Sequence, residues 1–359
     1  MSFEAKECRP SKSGNPLISV ILPIYNGASF LEDAIDSILN QTIVDFELIA
    51  INDGSTDRSL DILRAYEKID ERVKVFSHKN KGLTKTLNDA LDLANGQWIA
   101  RMDQDDIALP HRFEKQLEHL RISKADIVGS WVKRFGAADN RTVKLSESDN
   151  AIKMEMLFTS PLAHPTVMMR ASLIKKLRYD HSRDKAEDYD LWVRAAIAGY
   201  KMANVPEVLL HYRVHASQIS TAMSSRQLEL SQGIRYTYWD YLFDSWNKEK
   251  SCIEPIIKVR STNCDSDADL IDQALNEVML HCNEEAKSVV LGHAYRIYLR
   301  MAVYCPDIVE RWSKLSNTFT GKTSFKSKLV LKTLRTFRIS PESKLFIGMR
   351  ATVIYLQAR

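Results

Sequence analysis

The feature that most constrains this chain is a strand–helix rhythm running through its first half. Short β-branched runs at residues 18–23 (I-S-V-I-L-P), 46–52, 73–77 and 98–102 are each followed by an amphipathic stretch, at 29–39, 56–69, 83–94 and 110–120, and a further apolar run occupies 126–131. Apolar strands that do not alternate with polar residues need cover on both faces, and strands that alternate with helices pair in parallel. The expected fold is therefore α/β, with a mostly parallel, doubly wound sheet. Such sheets bind ligands beyond the carboxyl ends of their strands, which says where to look for chemistry.

The rhythm weakens over residues 136–150, a polar stretch read as a loop. Residues 163–170 and 208–214 read as later strands, separated by a helix over 187–199 that Gly199 ends. Beyond about residue 224 the strand signal gives way to helical segments at 227–243, 268–282, 286–304 and 326–337. The expected organisation is an N-terminal tail (1–15), an α/β domain (16–220) and a helical C-terminal region (221–359), with the boundary in a Ser/Ala/Thr-rich run at 216–225. With 45% hydrophobic and 27% charged residues, the chain has material for an ordinary core. No run approaches the ~18 apolar residues of a spanning helix, and the polar residues 1–15 lack the apolar core of a signal peptide. A cytoplasmic protein is expected. Five scattered cysteines without a C-x-x-C pair argue against a disulfide framework or a zinc site.

Two acidic groups stand where the fold rule puts a ligand. Asp53 ends the second strand in I-N-D-G-S-T-D, and Asp103, Asp105 and Asp106 directly follow the fourth in A-R-M-D-Q-D-D. A lone Asp before Gly is ordinary turn chemistry. Three carboxylates within four residues repel one another unless a cation or hydrogen-bond donors offset them, and their hard oxygens suit Mg²⁺ or Mn²⁺ bridging a substrate phosphate.

These motifs resemble glycosyltransferase family 2, whose members have the GT-A fold. The resemblance rests on S-V-I-L-P-I-Y-N-G (19–27), I-N-D-G-S-T-D (51–57), N-K-G-L-T (80–84), the D-x-D of Asp103 and Asp105, H-P-T-V-M-M-R (164–170), E-D-Y-D-L-W-V-R (187–194) and Y-R-V-H (212–215), in family order over about residues 17–220. It implies an inverting transferase that moves a sugar from a nucleotide-diphosphate donor, a UDP-sugar first among them, to a hydroxyl of a glycan. By resemblance Pro23, Tyr25 and Asn26 line the base pocket, Asp53 meets base or ribose, Asp103 faces the ribose or a metal-bound water, and Asp105 binds the divalent cation. The family often has an arginine before the position of Asn88; here it is Leu87, and Lys85 is the candidate for the missing charge at the donor.

An acceptor hydroxyl needs a base. The resemblance places it at Asp188, with Glu187 at the acceptor; the alternative is that both merely complement a helix dipole. His215 is a candidate further metal ligand or an ordinary histidine after a strand. His164 is read within a strand, as an acceptor contact or a structural histidine. Arg170 and Arg213 serve either a diphosphate or structural ion pairs.

Residues 320–359 carry nine Lys/Arg and one Glu, leaving 41 basic and 45 acidic groups in the rest of a chain whose net charge is +4. Lys328, Lys332 and Arg335 share one helical spacing, with Val330, Leu334 and Phe337 opposite. A basic amphipathic helix reads as an element for an anionic membrane surface or as a helix docked on the protein. Peripheral association suits a polyprenyl-linked oligosaccharide acceptor, as in O-antigen or capsule synthesis. No nucleic-acid motif accompanies the charge. The rival readings are a metal-dependent nucleotidyltransferase, which would carry a basic Gly-rich loop where P-I-Y-N-G-A stands, and a non-catalytic nucleotide-binding protein.

Overall fold

A computed structural model describes residues 14–136, 139–215, 225–259, 267–339 and 343–346. Most of the expected N-terminal tail, nearly all of the run at 216–225 and the last thirteen residues lie outside them. The chain divides into two compact units, Met1–Ile152 with Ser160–Ser231, and Lys153–Thr159 with Gln232–Arg359.

The first unit is an α/β sandwich. Strands β1 (Ile18–Ile24), β2 (Phe46–Asp53), β3 (Val73–His78) and β4 (Trp98–Arg101) are connected by α1 (Leu31–Leu39), α2 (Ser59–Ile69) and α3 (Leu83–Leu93). They pair in parallel in the order β3-β2-β1-β4. Every residue of β1 and β2 is buried, as two-sided cover requires, whereas the edge strand β3 is only partly so. Pro23 fits inside β1 because β4 pairs only as far as Ile21, leaving Pro23 one neighbour, in β2.

The sheet continues as β5 (Ile107–Ala108), β6 (Ile127–Phe135), β7 (Thr142–Val143), β8 (Met168–Arg170) and β9 (Met202–Arg213), with α4 (Arg112–Ser123), α5 (Asp149–Glu155), α6 (Ala171–Leu177) and α7 (Glu187–Ile197) between them. The order runs on from β4 through β8, β6 and β9 to β5, and β8 is antiparallel to both β4 and β6. Two expectations need correction. The stretch 136–150 is not all loop, since β7 pairs with β6 through Val132↔Val143 and α5 begins at Asp149. His164 is not in a strand: His164–Thr166 forms a 3-10 turn with Pro165 in its first positions, and the strand begins only at Met168. Proline removes a ladder donor and fixes φ, which favours the turn.

The helical unit contains most of α8 (Ser225–Ser245), then α9 (Ile253–Lys258), α10 (Ala268–Leu280), α11 (Glu284–Met301), α12 (Ile308–Thr320) and α13 (Phe325–Thr336). The Asn283 side chain caps α11 by accepting from the Ala286 N–H at 2.8 Å. Ser327 fastens α13: its carbonyl accepts from the Tyr295 hydroxyl at 3.1 Å and its Oγ from the Trp312 indole at 2.9 Å. The buried seam of α13 is Ser327, Leu331 and Leu334, and Phe337 is 72% exposed, so the apolar face is rotated from the expected Val330–Leu334–Phe337. No helix among the described residues is long and apolar enough to cross a membrane.

Candidate active site

Because β1, β2 and β4 run in parallel, their carboxyl ends deliver three loops to one rim. The loop after β1 carries Tyr25 and Asn26, both exposed, and Asn26 adopts the left-handed region at φ 51°. This turns its Oδ1 to accept from the Thr56 N–H at 2.8 Å, while its own N–H donates to Ser55 Oγ at 3.0 Å, which locks the first loop to the second. Gln104, the middle residue of the D-x-D, accepts from the Tyr25 N–H at 2.8 Å and donates to the Tyr25 carbonyl at 3.1 Å.

Asp53, at the end of β2, is 4% exposed. Its two oxygens accept from the Lys81 and Gly82 N–H groups at 2.8 and 3.0 Å, holding the turn that starts α3. Gly54 is a required glycine, at φ +70° with a Cβ position only 2.5 Å from the Asn80 nitrogen. Lys85 is exposed in the first turn of α3, and Leu87 is fully buried, so the Asn88-preceding position belongs to the core. Asn88 braces the start of the 179–186 segment, accepting from the Tyr179 N–H at 3.0 Å and donating to its carbonyl at 2.8 Å.

After β4, Asp103, Asp105 and Asp106 bring one carboxylate oxygen each to within 4.8 Å of one another. Burial, and then the Asp103 and Asp105 charges, push Asp106 well above the usual carboxylate range, although the Arg213 N–H donates to its Oδ1 at 2.9 Å. Its Oδ2 is buried with no hydrogen-bond partner. Burial likewise raises Asp103. His215 joins this cluster, with Nε2 2.8 Å from Asp105 Oδ2 and its ring against Phe30. A set of hard oxygens with one orphaned, beside an imidazole, fits a divalent cation.

A second acidic pair stands at the start of α7. Glu187 is 6% exposed, with Oε2 buried and unpartnered, and burial followed by repulsion from Asp188 pushes its carboxyl up to about 7. Asp188 is half-buried and also raised, chiefly by burial, and Ser160 Oγ lies 3.5 Å from its Oδ2. Arg101, the last residue of β4, links the two groups. It is 3% exposed and its Nη1 donates to Asp103 Oδ2 at 2.5 Å. Burial works against its charge, but Asp103 together with Tyr179 and Asp106 offsets this and raises it. The same charge bears on Glu187, Asp188 and Tyr179.

His164 is buried, and its Nε2 shares a 2.9 Å hydrogen bond with the Tyr179 hydroxyl. Burial and the Arg101 charge hold its imidazole well below its usual range, so it is neutral at physiological pH. Arg170 is an ion-pair residue, with Nε 3.0 Å from Asp126 and its guanidinium over Trp98. Arg213 spans the Asp33 carboxylate and the Asp105 carbonyl, at 2.9 and 2.7 Å, between the Phe30 and Phe135 rings.

Sequence reasoning had not singled out Arg101, Gln104, Arg112 or Tyr179. Arg112 is 1% exposed; its guanidinium donates to the Arg101 carbonyl at 2.7 Å, and burial and then the Arg101 charge lower it to about 9. An arginine ending the otherwise apolar run of β4, two positions before the first of three aspartates, was the available signal.

The parallel strands thus carry an acidic rim at their carboxyl ends, and the Arg101 charge ties it to a second acid pair. The family model described as glycosyl transferase family 2 matches residues 19–178. An uncharacterized glycosyltransferase of Haemophilus influenzae is 35% identical over 239 residues, which cover 61% of this chain and 72% of that protein. The O-antigen biosynthesis glycosyltransferase WbnJ of Escherichia coli is 35% identical over 203 residues, or 55% of this chain and 80% of WbnJ. Among solved structures, S. aureus TarS 1-349 in complex with UDP-GlcNAc has the same fold, with TM-score 0.55 at 17% identity over 89% of this chain and 90% of that one. The chain belongs to glycosyltransferase family 2 and is a GT-A glycosyltransferase.

Proposed function

We propose that this enzyme transfers a sugar, with inversion, from a nucleoside-diphosphate donor to a hydroxyl of a glycan acceptor carried on a lipid-linked oligosaccharide during surface-polysaccharide synthesis. The observation that carries the reading is the pair of acidic groups sharing the buried Arg101, one suited to a phosphate-bound cation and one to proton removal. The names of relatives support the setting: WbnJ is an O-antigen glycosyltransferase, and TuaG of Bacillus subtilis, 32% identical over 213 residues, is a putative teichuronic acid biosynthesis glycosyltransferase.

In this reading residues 16–220 are the catalytic domain and 221–359 a helical appendage. Pro23, Tyr25 and Asn26 receive the base, Asp53 and Asp103 the ribose side, and Lys85 the diphosphate. Asp105 and His215 hold Mn²⁺ or Mg²⁺, which when bound supplies Lewis-acid neutralisation of the leaving diphosphate. Glu187 orients the acceptor. Asp188 takes the acceptor's hydroxyl proton on a carboxylate oxygen as that hydroxyl oxygen bonds to the anomeric carbon. The glycosyl–phosphate bond breaks on the opposite side, and the nucleoside diphosphate leaves with the electron pair. A neutral His164, tied to Tyr179, keeps a second charge away from Arg101.

We also propose that α13 meets the anionic cytoplasmic face of a membrane. Its outward side carries Phe325 and Leu329, 77% and 52% exposed, among exposed Lys326, Lys332 and Arg335, and Phe337 follows it. Apolar side chains within a cationic frame suit the headgroup boundary of a bilayer. The first test of the whole reading is thermal unfolding with UDP and Mn²⁺, alone and together, followed by transfer assays over a panel of nucleotide sugars. A melting temperature raised only by the pair supports it, and no response to any nucleoside diphosphate with metal argues against it.

A further inference from the structure

One flank of α3 is bound to the segment that leads into α7. Thr84, Asn88 and Asp92 recur at every fourth position, so they share a face of the helix. Each holds a different point of that segment. Asp92 takes the Arg178 guanidinium, with Nη1 2.6 Å from its Oδ1 and Nη2 2.9 Å from its Oδ2. Asn88 accepts from the Tyr179 N–H and donates to the Tyr179 carbonyl. The Thr84 hydroxyl donates to Asp184 Oδ1 at 3.1 Å.

The segment is not a shape the chain adopts freely. Arg178 and Lys185 lie in the left-handed region, at φ 53° and 76°, which residues with a Cβ seldom occupy. From the α7 side, Arg194 donates to the Leu177 and Arg178 carbonyls at 2.7 and 2.8 Å, which fixes the start of the segment. Its end, beside Glu187, is held by Thr84 from α3 and by Gln227, which donates to the Lys185 carbonyl at 2.9 Å. Thr84 is buried, and its partner Asp184 is close enough to Glu187 for the two charges to repel.

We propose that Thr84 is a positioning residue for the Glu187–Asp188 pair, acting through Asp184. Asp184 lies three residues before Glu187. Between them Ala186 is buried, and its N–H donates to the Arg183 carbonyl at 2.8 Å, so little slack separates the tie from the pair. Helix α3 then works as a strut. Asp53 holds the turn at its start through the Lys81 and Gly82 N–H groups, and its flank sets where the acid pair stands. A small misplacement of a reacting group slows a reaction far more than it weakens donor binding. The part given to the pair in proton removal rests on the transfer reading above; the tie from Thr84 does not.

The test compares Thr84→Val, which keeps the shape and removes the hydroxyl, with Thr84→Ser, which restores it. Thr86→Val is the control on the same helix, because the buried Thr86 hydroxyl has no hydrogen-bond partner among the described residues. Hydrogen exchange over residues 180–188 of the full chain reads the tie whether or not a sugar moves. Initial transfer rates, beside calorimetry with UDP and Mn²⁺, read its consequence. Thr84→Val is expected to speed exchange in that stretch about tenfold and to lower kcat about tenfold, with nucleotide affinity unchanged. Thr84→Ser should recover both, and Thr86→Val should leave both at native values. Exchange unaltered by Thr84→Val, or rate and nucleotide affinity falling together, overturns the proposal. Faster exchange in Thr84→Val, when the native protein transfers no sugar, upholds the tie and counts against the transfer reading instead.

Discussion

In the α/β unit the site includes acids held away from water: Asp106 is fully buried, Glu187 is 6% exposed, and burial raises both. In the last helix of the helical unit the charges are cations left in solvent, with only Ser327, Leu331 and Leu334 turned inward. The raised Glu187 alone corresponds to about 3 kcal/mol between its protonation states. A fold that retains like charges at such a cost holds them for a ligand. Exposed lysines cost the fold almost nothing, so their placement reports on what the surface meets. The first unit's chemistry should therefore collapse on single substitutions, whereas the second's should erode charge by charge.

The largest effect is expected at Asp105. Asp105→Ala should reduce transfer to background and remove the metal-dependent part of nucleotide binding; full activity of the native enzyme after metal stripping with excess EDTA would refute this. Next comes Asp188→Asn, which should lower turnover about a thousandfold while donor affinity by calorimetry stays near native. Loss of donor binding together with rate would make the residue structural.

The third prediction uses the coupling between Glu187 and Asp188. Both carboxyls are raised, so the native rate should fall as pH drops through the neutral range and the pair takes up protons. Glu187→Gln removes the carboxyl that burial and Asp188 push up to about 7, so the acid limb should move to lower pH, by about one unit. A limb that stays in place would show that the two do not titrate together. The smallest effect belongs to α13. Lys326→Glu with Lys332→Glu should weaken flotation with anionic vesicles, each lost positive charge alone being worth about fivefold, and leave transfer to a small soluble acceptor intact. Point changes are the sharper tool, because deleting α13 would strip Leu331 and Leu334 from the core of its unit. Native protein that ignores anionic vesicles at low salt would end the membrane reading.

Much of this was legible in the chain because it is local. Runs such as I-S-V-I-L-P and F-E-L-I-A-I-N announce buried parallel strands, and D-Q-D-D announces the acidic rim. What stayed hidden depends on distant partners. Nothing near Met168 says that β8 inserts antiparallel between β4 and β6, and the three-residue strand is too short for a period. Arg101 and Arg112 read as surface cations until the fold buries them between acids and carbonyls. Tyr179 becomes a site residue only because Asn88, ninety-one positions earlier, holds its backbone.

The double hydrogen bond between Gln104 and Tyr25 has a consequence for binding kinetics. It welds the turn after the first strand to the acidic turn after the fourth, so a molecule reaching from one to the other meets a single rigid wall. The entropy of bringing those turns together is spent during folding and is not charged again at each turnover. Loosening that amide clasp would slow productive capture without removing any group that touches the reacting atoms.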